Sequence, residues 1–133
     1  MKINAVVDVS GSMGSDIELI KAKIAEFLNE GIEVNLVLCS ISVLFAKTIK
    51  KVEEMNDISF TSAGGTILQT GIDYLILNKM ESYPTFIFSD GYCDVLDYTK
   101  FDKTFTHCKV GGDYSQDIPV KKRRTVKHET IIL

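Results

Sequence analysis

The sequence predicts an α/β protein: a doubly wound, mainly parallel sheet with one antiparallel edge strand and helices on both faces. Three observations carry this. The short apolar runs Ile3–Val7 and Thr85–Phe88 lack period-two alternation, as strands covered on both faces do. Longer segments between the strands repeat apolar residues at helical spacing. Strand and helix alternate along the chain, the order that builds a parallel sheet through right-handed crossovers.

Each element has its own signal. Ile3 to Val7 is the first strand. Ser15 and Glu18 fit a capping box that opens a helix over 15–30. Ile17, Ile20, Ile24, Phe27 and Leu28 form its buried face, and Gly31 is its stop. Val34–Cys39 and Val43–Ile49 are strands separated by Ser40-Ile41-Ser42, too few residues for a crossover, so they form an antiparallel hairpin. Lys50 to Asp57 is polar enough for a helical turn, and Ser59 to Thr66 is a loop by composition. Ile67, Leu68, Ile72, Leu75 and Ile76 mark a second helix over 66–79. Pro84 then opens the strand Thr85–Phe88, which stops at Ser89-Asp90-Gly91. Beyond residue 92 the pattern is weaker. Val95, Leu96 and Tyr98 fit a third helix, and Thr104 to Val110 fits a strand stopped by Gly111-Gly112. A basic stretch, Val120 to Lys127, leads to Glu129–Leu133, a last strand or a docked tail, and the sheet's last strand is expected over Thr125–Ile132.

The 133 residues suit a single domain over 1–133, with its core in 1–110 and a basic loop and terminal strand or tail in 111–133. Hydrophobic residues are 45% and charged residues 25%, as in ordinary globular proteins. A net charge of −3 gives no global reason to expect a nucleic acid or an anionic membrane as partner. Cys39, Cys93 and Cys108 are scattered and odd in number, which reads as reduced, core-type thiols. Asp8 arrives before a signal-type apolar segment could finish, and no apolar run spans a bilayer, so a cytoplasmic protein is expected.

Three polar clusters fall at comparable points. Asp8-Val9-Ser10-Gly11-Ser12 follows the first strand, Gly64-Gly65-Thr66 precedes the second helix, and Ser89-Asp90-Gly91 follows the strand 85–88. In a doubly wound sheet all three reach the carboxyl edge, where ligands bind, although Asp8 and Asp90 are 82 positions apart. Taken singly, each is equally a solvated turn or a helix entry. Together they supply hard oxygen donors, which suit Mg²⁺, Mn²⁺ or Ca²⁺ rather than zinc.

D-V-S-G-S, then G-G-T, then S-D-G, resembles the metal-ion-dependent adhesion site of von Willebrand factor A domains. The resemblance covers residues 1 to about 110, in the right order and on the right elements. It implies a Rossmann-like fold and a bound divalent cation, Mg²⁺ foremost. Ser10 and Ser12 would ligate through their hydroxyls, Thr66 directly or through water, and Asp8 and Asp90 mostly by holding waters and hydroxyls. Gly11 would let the loop turn tightly, and Gly11, Met13, Gly65 and Tyr92 would rim the partner surface. The implied function is a protein-interaction module in which a Glu or Asp of another protein completes the coordination. Relatives of this kind inside cells are adaptors, often beside AAA+ ATPases. A compact chain of this size also fits a prokaryotic or phage origin.

Other readings compete with this one. A haloacid-dehalogenase-type phosphatase needs a second aspartate at position 10, which is Ser10 here. Gly11-Ser12-Met13-Gly14 is no P-loop, and no G-x-S-x-G elbow exists. His107 and His128 lie outside the three loops and are expected at the surface or satisfied. A metal-dependent phosphoryl or ester hydrolase and a scaffold with a vestigial site remain the alternatives. Lys121-Lys122-Arg123-Arg124 is a solvated loop or a patch for an acidic partner; no aromatic residues interleave it, which argues against nucleic acid. The chain is short for the resembled family, so an unpaired sheet edge is expected, closed by a homodimer or by a docked tail.

Overall fold

The computed structural model describes residues 1–60 and 64–133. Eight strands form: β1 (Lys2–Asp8), β2 (Glu33–Cys39), β3 (Val43–Ile49), β4 (Thr85–Ser89), β5 (Leu96–Asp97), β6 (Phe105–Lys109), β7 (Val120–Lys121) and β8 (His128–Ile132). Two α-helices accompany them among the described residues, α1 (Ile17–Asn29) and α2 (Gln69–Leu77). Six strands make one sheet in the order β3-β2-β1-β4-β6-β8, and β5 pairs with β7 apart from it. All pairs in the large sheet are parallel except β2 with β3, the expected antiparallel hairpin at the edge.

The two faces of the sheet bury two apolar clusters. Ile3, Ala5 and Val7 of β1 pack with Ile17, Ile20, Ile24 and Leu28 of α1. Val6 of β1, Val37 of β2 and Ile87 of β4 pack on the other face with Leu68 and with Ile72 and Leu75 of α2. α2 lies very close to β1: a Cβ at Gly71 would sit 2.6 Å from Val6 Cγ1 and 3.3 Å from Cys39 Sγ. At the amino end of this face a polar row crosses four strands. The Thr48 hydroxyl donates to Asn35 Oδ1 (2.6 Å), and the Asn35 amide donates to Asn4 Oδ1 (3.0 Å). The Asn4 amide donates in turn to Thr85 Oγ1 (3.1 Å) and to the Met80 carbonyl (2.8 Å).

Several expectations are corrected. The capping box at Ser15 does not form. Residues Gly11–Asp16 wind as a 3-10 turn that buries Met13, so α1 starts at Ile17 and no side-chain cap bond closes it. Its other end matches expectation: Gly31 is left-handed (φ 81°), and the amides of Gly31 and Ile32 donate to the Leu28 and Phe27 carbonyls. α2 begins later than position 66 because the Ile67 amide donates to the Ser40 carbonyl (2.7 Å), holding that loop against the end of β2. It stops at Leu77, and Lys79 turns left-handed (φ 57°). Of the loop expected at Ser59 to Thr66, positions 61–63 lie outside the described residues.

No third helix forms at residues 92–98. Leu96 and Tyr98 are buried and Asp97 is exposed, a strand alternation, and β5 pairs with β7. Aromatic side chains take the helix's place against the sheet. Tyr98 stacks on Phe101 at 4.0 Å between ring centroids and meets Phe105 edge-on at 5.1 Å. The closing strand is β8, parallel to β6, so the terminal segment joins the sheet and forms its outer edge. In the basic run, the Arg123 Nε donates to the Thr99 carbonyl (2.7 Å) and the Lys122 ammonium to the Val126 carbonyl (2.6 Å). Those two side chains therefore hold loops. Among the described residues no helix is long and apolar enough to cross a membrane.

The close packing of α2 on β1 has a direct consequence. Gly71→Ala is expected to lower stability by about 1–3 kcal/mol, because the added methyl must displace Val6 or the helix. The midpoint of urea unfolding reads this. An unchanged midpoint would show that α2 can move off β1 without cost.

Candidate metal centre

The sheet order reverses around β1: the chain steps from β1 outward to β2 and β3, then crosses to β4 on the opposite side. The crevice between the carboxyl ends of β1 and β4 is thus the topological switch point, where ligands bind in sheets of this kind. Asp8 ends β1, and the turn after β4 carries Asp90. The fold therefore juxtaposes residues that are distant in sequence.

Asp8 is fully buried. Its Oδ1 accepts the Ser10 amide (2.9 Å), and its Oδ2 accepts the Ser89 hydroxyl (3.1 Å). Burial pushes its carboxyl above the usual carboxylate range; the bonds from Ser10 and Ser89 offset part of this, and the Asp90 charge adds to it. Ser10 and Ser12 present hydroxyls 3.4 Å apart, and the Ser12 hydroxyl donates to Asp90 Oδ2 (3.2 Å). Asp90 Oδ1 accepts the Tyr92 amide (3.2 Å). A continuous run of oxygens thus passes from Ser10 through Ser12 to Asp90, above the buried Asp8.

Thr66 arrives with the third loop. The Gly11 amide meets the Gly64 carbonyl at 3.4 Å, and Ile67 is tied to Ser40, so the residues on either side of Gly65 and Thr66 are anchored to the site's edge. The Thr66 side chain is half-buried and makes no hydrogen bond among the described residues. The structure thus joins Asp8, Ser10, Ser12 and Asp90 by direct bonds and brings Thr66 to their edge without one. Gly11, Gly65 and Tyr92 are exposed on these loops. Met13 is not: it is fully buried among Val9, Ile17 and their neighbours, and belongs to the core. Nor does Gly11 make a strained turn, since its φ is not positive and a Cβ there would touch nothing within 4 Å.

The residues fit a hard divalent cation. Adjacent ligands in an octahedral oxygen shell lie about 3.0 Å apart around Mg²⁺ and about 3.4 Å apart around Ca²⁺. The Ser10–Ser12 oxygen separation of 3.4 Å is an edge of that size, and Asp90 accepts from Ser12 behind it. Burial pushes the Cys39 thiol up to about 12 and the Cys93 thiol up to about 11, with the Asp8 charge adding to it. Among the described residues no group of three or more His, Cys, Asp and Glu side chains comes together, so any cation here relies on hydroxyls.

Three supporting residues escaped the sequence reading. Ser89 was visible in S-D-G, but its bond to Asp8 depends on strand register. The Gln116 amide donates to the Asp90 carbonyl (2.9 Å), and the Gln116 carbonyl fills the space a Gly91 side chain would need, 1.7 Å from that Cβ. Gly91 also has φ 91°, so the turn after Asp90 admits glycine alone. His107, expected at the surface or satisfied, is instead fully buried on β6. Its Nε2 bonds the Ser89 carbonyl (2.8 Å), its Nδ1 has no partner among the described residues, and burial holds the ring below its usual pKa.

No protein-family model matches the chain, and no curated protein matches it in sequence. Solved structures do match it. A structure titled the SpRpn10 VWA domain is 14% identical, covers 98% of this chain and 87% of its own, and superposes with a TM-score of 0.57. The conserved hypothetical protein BatB from Bacteroides thetaiotaomicron is 17% identical over 69% of this chain, with a TM-score of 0.55. This chain spans about half of that one's length, 54%. The likeness is one of fold: the chain has the α/β, Rossmann-like architecture of a von Willebrand A domain.

Asp8 supplies a test of the site's electrostatics. A carboxyl whose pKa is raised by folding disfavours the native state once it ionises; the penalty is complete above the folded pKa and vanishes below the unfolded value, near 3.8. Asp8→Asn is therefore expected to raise the melting temperature in chelator at pH 7 and to leave it unchanged near about pH 3. A melting temperature lowered at neutral pH would show that the carboxylate is stabilising without a cation.

Proposed function

We propose that this von Willebrand A fold serves as a divalent-cation-dependent protein-interaction module. Asp8, Ser10, Ser12, Thr66 and Asp90 would hold the ion, Mg²⁺ foremost, and an acidic side chain of a partner protein would complete its coordination. The observation that carries the reading is the oxygen run from Ser10 through Ser12 to Asp90, seated above a buried carboxylate at the switch point of the sheet.

The chain's own residues divide the work. Ser10 and Ser12 offer neutral donors, so the site carries two carboxylates where an all-acidic cage would carry more. Asp8, fixed by the Ser10 amide and the Ser89 hydroxyl, supplies negative field from below and keeps the loop 8–12 in place. Asp90 accepts from Ser12 and thereby orients that hydroxyl's lone pairs toward the crevice. Thr66 brings a third hydroxyl from the opposite loop. When bound, the cation supplies a Lewis-acidic position at which a carboxylate can bind. Hydroxyl ligands matter to that chemistry, because they leave more of the ion's positive charge uncompensated than carboxylates would.

The reading predicts stabilisation by mass action. Mg²⁺ at 100 times its dissociation constant is expected to stabilise the protein by about 2.7 kcal/mol. Calorimetric titration should show a single site, lost in Asp8→Ala and weakened at least tenfold in Ser12→Ala and Asp90→Asn. Equal heats in wild type and in Asp8→Ala would remove these residues from the role.

A further inference from the structure

Four large apolar side chains stand exposed around the carboxyl edge: Ile41 (59%), Ile67 (48%), Tyr92 (52%) and Val95 (64%). They come from three loops that the structure holds together. A Cβ on Gly65 would touch Ile41 Cγ2 at 3.5 Å, and the Ile67 amide is bonded to the residue before Ile41. Tyr92 and Val95 follow Asp90 on the remaining loop. Apolar residues gathered around one polar centre differ from the single exposed ones that any surface carries.

Ile67 and Val95 both line a small groove of about 50 Å³. Its floor is Leu68 and Leu96, both 1% exposed. One of its lining residues, Ile67, directly follows Thr66, which sets that side of the groove next to the metal centre. Gln69, one of its lining residues, ties its two sides together. Its Oε1 accepts the Asp97 amide (2.7 Å) and its Nε2 meets the Asp97 carbonyl (3.3 Å), stitching the start of α2 to β5. At the groove's mouth Asp94 is exposed, with no ion pair among the described residues.

We infer that this groove receives an aliphatic side chain of the same partner segment that brings its carboxylate to the cation, and that Asp94 pairs with a basic residue beyond it. The partner is thus a protein segment presenting an acidic, then an aliphatic, then a basic side chain. Charge decides the outer two places: a carboxylate meets the cation, and a Lys or Arg meets the uncompensated Asp94. The inference rests on the metal reading above, and the two can fail separately.

The test is a displayed peptide library with one fixed Glu flanked by random positions, selected on the full chain in Mg²⁺ and, separately, in chelator. The wild type is expected to enrich Leu, Ile or Val within three positions of the Glu, followed by Lys or Arg, in Mg²⁺ only. Ile67→Ser with Val95→Ser, both at exposed positions, should weaken the selected peptide about tenfold, the scale of one buried aliphatic side chain, with the Mg²⁺ heats unchanged. Asp94→Lys should exchange the basic preference for an acidic one. Selected peptides with random flanks, or full-strength binding to the double variant, would overturn the groove assignment. The same flanks enriched equally in chelator would uphold the groove and overturn the metal reading.

Discussion

The register of the central strands governs everything built on them. Side chains on a strand alternate between faces, so a slip of one residue would reverse every inward and outward position. The row Thr48–Asn35–Asn4–Thr85 forbids that slip, because the buried amides of Asn4 and Asn35 are satisfied in one alignment. Asp8 lies four residues beyond Asn4, and Ser89 four beyond Thr85, on the same face of adjacent parallel strands. Polar bonds at the amino end of the sheet thus deliver the Asp8–Ser89 bond at the carboxyl end. The apolar layer between them, Val6, Val37 and Ile87, separates the two polar levels.

Burial works against the charged form of the Asp8 carboxyl. Asp8 is desolvated, and a second carboxylate stands close enough to raise its pKa further. Hydrogen bonds from Ser10 and Ser89 soften the cost without removing it. A core built for stability alone would place an amide or an apolar residue at the end of β1. Unfavourable burial of this kind concentrates where a group is used, which is why the electrostatics and the oxygen geometry point to the same place.

Much of this was legible in the sequence because local signals agreed with the tertiary outcome. The two-sided strands, the hairpin forced by Ser40-Ile41-Ser42 and the helical face from Ile17 to Leu28 all needed no distant partner to be read. Asp8, Ser10, Ser12 and Asp90 were visible as a pattern, and the sheet order brings them together. What was missed depended on distant partners. The spacing Ser15 to Glu18 signals a cap, but burial of Met13 turns the preceding residues into a 3-10 turn and moves the helix start. Val95, Leu96 and Tyr98 fit a helix or a strand equally, and Val120 and Lys121 decide the matter by pairing. The roles of Ser89, His107 and Gln69 lie in bonds to elements far along the chain, and no single residue type announces them.

The bond between Ser89 and Asp8 joins residues 81 positions apart, and that between Ser12 and Asp90 residues 78 apart. Neither can form until β4 has docked beside β1, a parallel pairing that must first bear the entropy of closing the intervening chain. The five oxygen-bearing residues therefore belong to no fragment of the molecule. The set is assembled only when β4 pairs with β1, and the long-range bonds of Ser12 and Ser89 are lost when β4 departs. The crevice is therefore a property of the paired β1 and β4 and of neither strand alone.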